Sequence, residues 1–257
     1  MQRARTLAGK HALVTGGGTG IGAAIALALA ECGAAVTICG RRLAELHSSA
    51  KRHDNIHAEA ADVTDADSLR RLYTDAQGER GSFGIVVANA GAAESAPTEK
   101  VTRALWDHTI AVNLTGAFLS VQPALAAMRA RKWGRIVFIA STAGLKGYAY
   151  VAPYVAAKHG VVGLARALAA ETAVDGITVN AVCPGFTETP MLERAVDRIV
   201  ATTKRSESET RSTLAADNPQ ARFIKPEEVA AAVVWLCADE SAAITGQAIS
   251  VSGGETW

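Results

Sequence analysis

The sequence predicts a single α/β domain in which helices cover both faces of a parallel, doubly wound sheet. Three observations predict it. Short β-branched runs alternate with longer helical patterns along all 257 residues. The strand-like runs are apolar throughout rather than alternating, as expected of strands buried on both faces. No repeat, low-complexity tract or linker interrupts the alternation, so residues 1–257 are expected to form one domain.

Six apolar runs predict strands, and one further run is a weaker candidate. The six runs are HALVT (11–15), AVTI (35–38), IVVA (85–88), RIVFIA (135–140), ITVNAV (177–182) and QAISV (247–251). The weaker candidate, IHAEA (56–60), precedes Asp62.

Helical patterns lie between these runs. They cover residues 21–32, 42–53, 66–77, 103–130, 155–173 and 227–238. The last pattern follows Pro226 and has Glu227 and Glu228 in its first turn, which is typical of a helix start.

One segment, residues 187–223, breaks the alternation. It holds no strand-like run, but MLERAVDRIVATT (191–203) places Leu192, Val196 and Ile199 at helical spacing, and polar KRSESET follows. Loops at the carboxyl ends of strands surround the ligand in open α/β sheets. We therefore expect a substrate lid near 187–223, with surface decoration as the alternative.

Composition limits the possible partners. Hydrophobic residues make up 49% of the chain, and the formal net charge is +1. Such a charge argues against a nucleic-acid or membrane partner. The four cysteines form no CxxC pair and no Cys/His cluster with metal spacing, so we expect buried thiols in a reducing compartment and no metal site. The N-terminal residues lack the apolar core of a signal peptide, which predicts a cytoplasmic protein.

A glycine-rich turn, TGGGTGIG (15–22), directly follows the first predicted strand and opens a helix. Glycines let the backbone approach a pyrophosphate, and the helix N-terminus directs its N–H groups at it. The spacing, Gly16–xxx–Gly20–x–Gly22, differs from the general GxGxxG fingerprint. Alone it would fit a tight strand–helix connection, but at this place in a strand–helix–strand unit it predicts a dinucleotide site.

The end of the second strand predicts which dinucleotide. NAD enzymes typically place an acid there for the ribose 2′-hydroxyl, whereas an arginine accommodates a 2′-phosphate. This chain has Gly40 in that place, followed by Arg41 and Arg42. A guanidinium bonds phosphate as a bidentate fork. NADP(H) is therefore the preferred cofactor and NAD(H) remains possible, while the alternative role for both arginines is to solvate a helix start.

Tyr154 and Lys158 lie four residues apart at the start of the predicted helix 155–173, so their side chains share one face. An ammonium about 4 Å from a phenolate is worth about 4 kcal/mol at an effective dielectric near 20. Lowering a phenol pKa by about three units needs a similar energy. Ser141 follows the strand 135–140 at its carboxyl end, where its hydroxyl can hold a carbonyl oxygen that the phenol protonates. We therefore expect Tyr154, rather than Tyr148 or Tyr150, to be the acid–base residue.

These residues together resemble the short-chain dehydrogenase/reductase family. The motifs are TGGGTGIG, ANAG (88–91), Asn113 in NLTG, Ser141, YVAAK (154–158) and CPG (183–185). The resemblance covers nearly the whole chain and implies a seven-stranded Rossmann sheet in a homotetramer. Its motifs imply these cofactor-binding residues: Thr15, Gly16, Gly18, Thr19, Gly20, Ile21, Arg41, Arg42, Asp62, Val63, Asn89, Gly91, Tyr154, Lys158, Pro184, Gly185, Thr187 and Thr189.

The resemblance also implies a catalytic tetrad. Tyr154 would be the general acid/base, and Lys158 would lower its pKa and hold the nicotinamide ribose. Ser141 would orient the carbonyl, and Asn113 would hold a water in a proton relay. The chain departs from the family at Ala88, where many members carry a second Asn, with little effect expected on the chemistry.

Within the family the chain resembles 3-oxoacyl-thioester reductases with 3-hydroxyacyl-CoA dehydrogenases, polyketide ketoreductases, and 3-hydroxybutyrate dehydrogenases. The last group holds a free carboxylate with polar side chains where this chain has Ala93, Ala143 and Val151. An unpaired buried charge is costly, so that group is disfavoured. The expected reaction is ketone–alcohol interconversion on a 3-oxoacyl or 3-hydroxyacyl thioester of CoA or a carrier protein.

Two other functions stay open. One is action on a cyclic or polyketide-like ketone. The other is a catalytically silent dinucleotide sensor, which the complete tetrad disfavours. Arg194 and Arg198, four apart in the lid segment, are expected to meet the phosphates of CoA or a carrier arm. The alternative is a solvated helix face on which Glu193 and Asp197 balance them.

Overall fold

A computed structural model describes residues 6–257, which form one seven-stranded parallel sheet. Each predicted strand is present, including the weak candidate at 56–60. The strands are β1 His11–Thr15, β2 Ala35–Gly40, β3 Ile56–Ala60, β4 Ile85–Ala88, β5 Gly134–Ile139, β6 Ile177–Pro184 and β7 Ala248–Val251. The predicted fold class is confirmed.

The strand order is β3-β2-β1-β4-β5-β6-β7. The direction of winding reverses between β1 and β4, which pair directly through Val14 and Val87. A crevice opens outside the carboxyl ends of the strands at such a reversal, and ligands bind there.

Ten helices pack around this sheet in the part of the chain that the structure describes. They are α1 Gly20–Glu31, α2 Leu43–Ala50, α3 Ala66–Arg80, α4 Arg103–Ile110, α5 Gly116–Val121, α6 Leu125–Arg131, α7 Ala152–Thr172, α8 Pro190–Thr203, α9 Glu207–Ala215 and α10 Pro226–Cys237. One apolar core joins α1 and α10 to the sheet, and a second joins α3, α5 and α7 to its other face.

The prediction of one continuous helix over 103–130 was wrong, because the structure has three helices there, α4, α5 and α6. A π-helical turn, Ala111–Thr115, separates α4 from α5, and a 3₁₀ turn, Gln122–Ala124, separates α5 from α6. Pro123 lacks the N–H that a continuous α-helix needs, which explains the second break. By length and composition alone Arg103–Arg131 is apolar enough to cross a membrane, but here it packs on α7 and the sheet.

The segment 187–223 contains two helices, of which only α8 was predicted. α9 begins at a capping box: Glu209 N donates to Ser206 Oγ at 3.2 Å, and Glu209 Oε2 accepts from Ser206 N at 2.9 Å. The S-x-x-E pattern of this box lies in the polar KRSESET run. Thr187 forms an isolated parallel bridge with Ile224, which ties the two ends of the segment together.

α8 buries its apolar side and exposes its arginines. Leu192 and Val196 are buried, whereas Arg194 and Arg198 are exposed. Glu193 pairs with Arg211 of α9. Within residues 6–257, neither Arg194 nor Arg198 forms an ion pair, so the alternative in which Glu193 and Asp197 balance the two arginines is not seen as direct contacts.

Candidate active site

The glycine turn between β1 and α1 is packed too closely for side chains. A Cβ at Gly22 would lie 2.3 Å from Gly16 O and 2.5 Å from Asn89 Nδ2. Thr15 Oγ1 accepts from Asn89 N and Ala90 N, each at 3.0 Å, and Asn89 Nδ2 donates to Thr15 O at 2.8 Å. The end of β4 therefore holds the turn in shape.

The N-terminus of α1 fits an anionic ligand. Thr19 caps it in extended conformation without a side-chain hydrogen bond, and its first turn carries no acid. Its orphan N–H groups and the helix dipole favour a phosphate at this end. Gly18, Thr19, Gly20 and Ile21 are all partly exposed here, so the turn fits the pyrophosphate of a dinucleotide.

The end of β2 presents one unpaired arginine. Arg42 pairs with Glu45 at 3.0 Å, whereas exposed Arg41 has no ion-pair partner in the described part of the chain, residues 6–257. A Cβ at Gly40 would meet only Leu46 Cδ2, at 3.8 Å, so an acid is absent here without being sterically excluded.

Asp62 lies after β3 at the same edge. Its Oδ1 accepts from Thr64 N at 2.9 Å and Thr64 Oγ1 at 2.8 Å. These hydrogen bonds, with a smaller effect from Arg41, hold the pKa of Asp62 below its usual value. The carboxylate is thereby fixed and charged beside the crevice, while the neighbouring Val63 is buried.

Asn113 lies in the π-helical turn and is buried. Its Nδ2 donates to Ala92 O at 2.8 Å and Thr109 O at 2.9 Å, and its Oδ1 accepts from Ala92 N at 3.2 Å. The amide therefore holds the loop after β4 against the helix. A Cβ at Gly91 would lie 2.9 Å from Asn113 Oδ1 and 3.8 Å from Lys158 Nζ, which places these three residues together.

The Lys158 side chain extends from α7 to the carboxyl end of β5. Its Nζ donates to Ile139 O, the last residue of β5, at 2.8 Å. Its side chain is buried, and burial lowers its pKa to about 8. The ammonium therefore loses its proton far more readily than an exposed lysine does.

Tyr154 is half-buried one helical turn before Lys158, and Lys158 Nζ lies 5.5 Å from the centre of its ring. Burial raises the pKa of Tyr154 to about 12, and a hydrogen bond with Ser141 partly offsets that rise. The expected lowering of the phenol pKa is not found in this structure, because desolvation raises that pKa by more than the Ser141 hydrogen bond lowers it. The structure does bring Ser141 to the phenol.

The loop after β6 returns to the glycine turn. Thr187 Oγ1 donates to Gly185 O at 2.9 Å, and Thr189 Oγ1 donates to Thr187 O at 3.1 Å. Thr189 also caps α8, and its Cγ2 would lie 3.0 Å from a Cβ at Gly20. Pro184 ends β6. The predicted residues of this loop therefore line the same crevice as the glycine turn.

Comparison with known proteins then decides the family. The family described as short chain dehydrogenase matches residues 10–199. This chain belongs to it. A protein named as ketoacyl reductase 1 of the granaticin polyketide synthase of Streptomyces violaceoruber is 43% identical over 97% of this chain and 94% of its own. Acetoacetyl-CoA reductase of Shinella zoogloeoides is 36% identical over 95% of this chain and 97% of its own.

Among solved structures, a variant of the actinorhodin polyketide ketoreductase with NADPH superposes on this short chain dehydrogenase with a TM-score of 0.93. It shares 37% sequence identity, and 98% of each chain is covered. The protein is thus an oxidoreductase of this family that interconverts keto and hydroxyl groups, and the family binds NAD(P).

One cluster of this dehydrogenase was missed by sequence reasoning. Lys146 and Tyr148, on the loop after β5, contact the buried carboxylate of Glu255, and Thr142 hydrogen-bonds the Tyr148 hydroxyl. The only sequence signal for it was the pair Gly253–Gly254, which predicts a turn before Glu255.

Proposed function

We propose that the protein reduces a ketone to a secondary alcohol with NADPH, and that Tyr154 is the proton donor. The observation that carries this proposal is the phenol of Tyr154: its pKa is about 12 and Ser141 hydrogen-bonds it. A phenol that keeps its proton at neutral pH is suited to protonate a developing alkoxide. The protonated phenol therefore matches the proton donor that ketone reduction needs.

Residues around the crevice fit NADP(H), which supplies or accepts a hydride when bound. The α1 N-terminus and the glycine turn would take the pyrophosphate, and Asp62 would contact the adenine. Arg41 would pair the 2′-phosphate, because it is exposed, unpaired within the described residues and not opposed by an acid at position 40. NADPH is accordingly the preferred cofactor, with NAD(H) as the secondary one.

Four side chains divide the chemistry. Ser141 holds the carbonyl oxygen beside the Tyr154 hydroxyl, and the phenol passes its proton to that oxygen. Lys158 would hold the nicotinamide ribose with its ammonium. Asn113 has its side-chain amide engaged with Ala92 and Thr109. Both N–H groups of the amide are thereby used, so any relay water at Asn113 would donate to one of its oxygens.

The favoured substrate class is a 3-oxoacyl thioester of CoA or a carrier protein. Arg194 and Arg198 support it, since both lie on α8 and are exposed and free of ion pairs within residues 6–257. Guanidiniums in that position suit phosphates of a CoA or carrier arm, and the segment would act as a lid. Relatives named as acetoacetyl-CoA reductase and as polyketide ketoreductase favour this class and, as the second candidate, a cyclic or polyketide-like ketone.

The test is NADPH consumption with acetoacetyl-CoA, ethyl acetoacetate and a cyclic diketone. We expect the thioester to have the highest kcat/KM, and Arg194→Ala with Arg198→Ala to reduce its advantage over the free ester. Arg70→Ala, which removes an exposed arginine of α3, is the matched control. Equal kcat/KM for thioester and ester, unmoved by the α8 changes, would reject the thioester, and no turnover of any ketone would reject the reaction.

We also propose a cytoplasmic homotetramer. Partly exposed β7 forms one edge of the sheet, and Trp235 of the adjacent α10 is 48% exposed. An edge strand with an exposed indole beside it is suited to pair with a second copy of this chain.

A further inference from the structure

Glu255 carries a buried carboxylate beside the candidate active site. Its side chain is 1% exposed, and Lys146 Nζ lies 3.0 Å from Oε1. The Tyr148 hydroxyl donates to the same oxygen. A Cβ at Gly185 would lie 2.8 Å from Oε2, so the second oxygen packs against the backbone of the loop after β6. Burying a carboxylate is costly unless its contacts are specific, and these contacts join two loops of the site.

The residues after β7 turn back towards the site and place the Glu255 carboxylate there. Gly253 and Gly254 have φ angles of +66° and +98°, which turn the chain back towards the site. A Cβ at Gly253 would lie 2.0 Å from Asn218 Oδ1, so only glycine fits. Thr256 Oγ1 and Ser250 Oγ are 2.7 Å apart, which fastens the far side of the turn to β7.

The hydrogen bonds between Thr142, Tyr148 and Glu255 have one possible direction. A carboxylate only accepts, so the single phenolic proton of Tyr148 goes to Glu255. Thr142 Oγ1 lies 2.6 Å from the Tyr148 oxygen and must therefore be the donor. The resulting series of hydrogen bonds runs from Thr142 through Tyr148 to Glu255, and the donor of each bond is assigned.

This series of hydrogen bonds begins at Thr142, the residue next to Ser141. Thr142 is buried, and its carbonyl accepts from Leu145 N and Lys146 N at 2.9 Å each. The Ser141 carbonyl accepts from Gly144 N at 2.8 Å, so backbone hydrogen bonds close the turn that carries both residues. We propose that Glu255 is a positioning residue that acts through Tyr148 and Thr142 to fix the hydroxyl of Ser141 against Tyr154. This rests on the proposed role of Ser141 in holding the carbonyl oxygen.

The experiment is a double-mutant cycle between Tyr148 and Ser141. Wild type, Tyr148→Phe, Ser141→Ala and the double variant are compared in NADPH-dependent reduction of acetoacetyl-CoA and ethyl acetoacetate. We expect Tyr148→Phe to lower kcat about tenfold, with KM for NADPH unchanged, because a small displacement of a positioning group costs rate rather than cofactor binding. In the Ser141→Ala background the same change should cost less than about twofold, because its route of action is gone.

Two variants of Glu255 extend the test. Glu255→Gln keeps an acceptor for Tyr148 and should stay within about threefold of wild type, whereas Glu255→Ala should match the roughly tenfold loss of Tyr148→Phe. Tyr73→Phe is the control for lost stability, because it removes another buried hydroxyl bond, 2.6 Å to Ser120 O, away from the site. Its kcat should be unchanged.

The alcohol made from ethyl acetoacetate by Tyr148→Phe should also lose enantiomeric purity.

The outcomes separate this inference from the proposed function. If Ser141→Ala leaves kcat unchanged, the proposed role of Ser141 fails and this inference fails with it. If Ser141→Ala is impaired but Tyr148→Phe keeps both its kcat and its enantiomeric purity, only the inference fails. An equal loss from Tyr148→Phe in both backgrounds, or from Tyr73→Phe, would also overturn it.

Discussion

Lys158 Nζ donates to Ile139 O at 2.8 Å while lying 5.5 Å from the centre of the Tyr154 ring. The lysine is thereby anchored to the last residue of β5, and its position is set by the sheet. Burial lowers its pKa to about 8 and raises that of Tyr154 to about 12. Within one helical turn, the Lys158 ammonium therefore loses its proton more readily than an exposed lysine does, and the Tyr154 phenol keeps its proton to a higher pH than an exposed tyrosine does.

The first prediction follows from the Lys158 pKa. The ammonium is charged below pH 8 and neutral above it, so an interaction that needs the charge is lost as pH rises through about 8. If the charged form holds the ribose, Kd for NADPH should rise up to about tenfold between pH 7 and pH 9. Fluorescence titration across this range measures it. Lys158→Met should bind more weakly and show no rise, and an equally steep rise in Lys158→Met would assign the effect elsewhere.

The second prediction concerns cofactor choice. Arg41→Ala removes the unpaired guanidinium, and Gly40→Asp adds a carboxylate that repels a 2′-phosphate and accepts from a 2′-hydroxyl. The double variant should lose at least about tenfold in the NADPH/NADH ratio of kcat/KM. Arg42→Ala is the matched control, because Arg42 pairs with Glu45. If the wild-type protein prefers NADH, Arg41 is a solvated surface residue and does not pair with the 2′-phosphate.

The third prediction tests the glycine turn. A methyl group at Gly22 would lie 2.3 Å from Gly16 O, so Gly22→Ala should lower thermal stability and weaken NADPH binding. Gly163→Ala, at an exposed position of α7, is the control, since no atom lies within 4 Å of its Cβ position. It should raise the free energy of unfolding by about 0.5–1 kcal/mol, the helical preference for alanine. Equal melting temperatures for Gly22→Ala and wild type would show that the turn relaxes freely.

The fourth prediction concerns assembly. Light scattering at micromolar concentration should give the mass of a tetramer. Trp235→Glu, which places a charge beside the edge strand β7, should yield smaller species with unchanged far-UV circular dichroism. A monomeric wild type would contradict the proposal.

Strand positions could be predicted because fully buried parallel strands leave long apolar runs between turn signals. The run 56–60 was weaker because β3 is an edge strand and carries partly exposed residues. The break between α4 and α5 was missed, since apolar periodicity continues across a π-helical turn, and the contact of Asn113 in that turn with the distant Ala92 leaves no local signal. Helix α9 was missed because its face is polar and its start depends on one capping box.

The site could be predicted only in part. Tyr154, Lys158 and Ser141 carry local signals, and the structure brings them together. The direction of the Tyr154 pKa was wrong, because sequence spacing gives the proximity of Lys158 but not the desolvation of the phenol. Glu255 was beyond prediction, since a carboxylate near the end of the sequence is ordinarily solvated, and its burial depends on contacts with residues more than 100 positions earlier.

The most direct test of Tyr154 as the proton donor is kcat for NADPH-dependent ketone reduction by Tyr154→Phe. We predict a loss of at least ~10²-fold, the scale for removing a general acid, with Kd for NADPH nearly unchanged. Tyr150→Phe, which alters a tyrosine that is 64% exposed, should retain wild-type kcat. If Tyr154→Phe turned over at the wild-type rate, or Tyr150→Phe alone abolished turnover, Tyr154 would not be the proton donor.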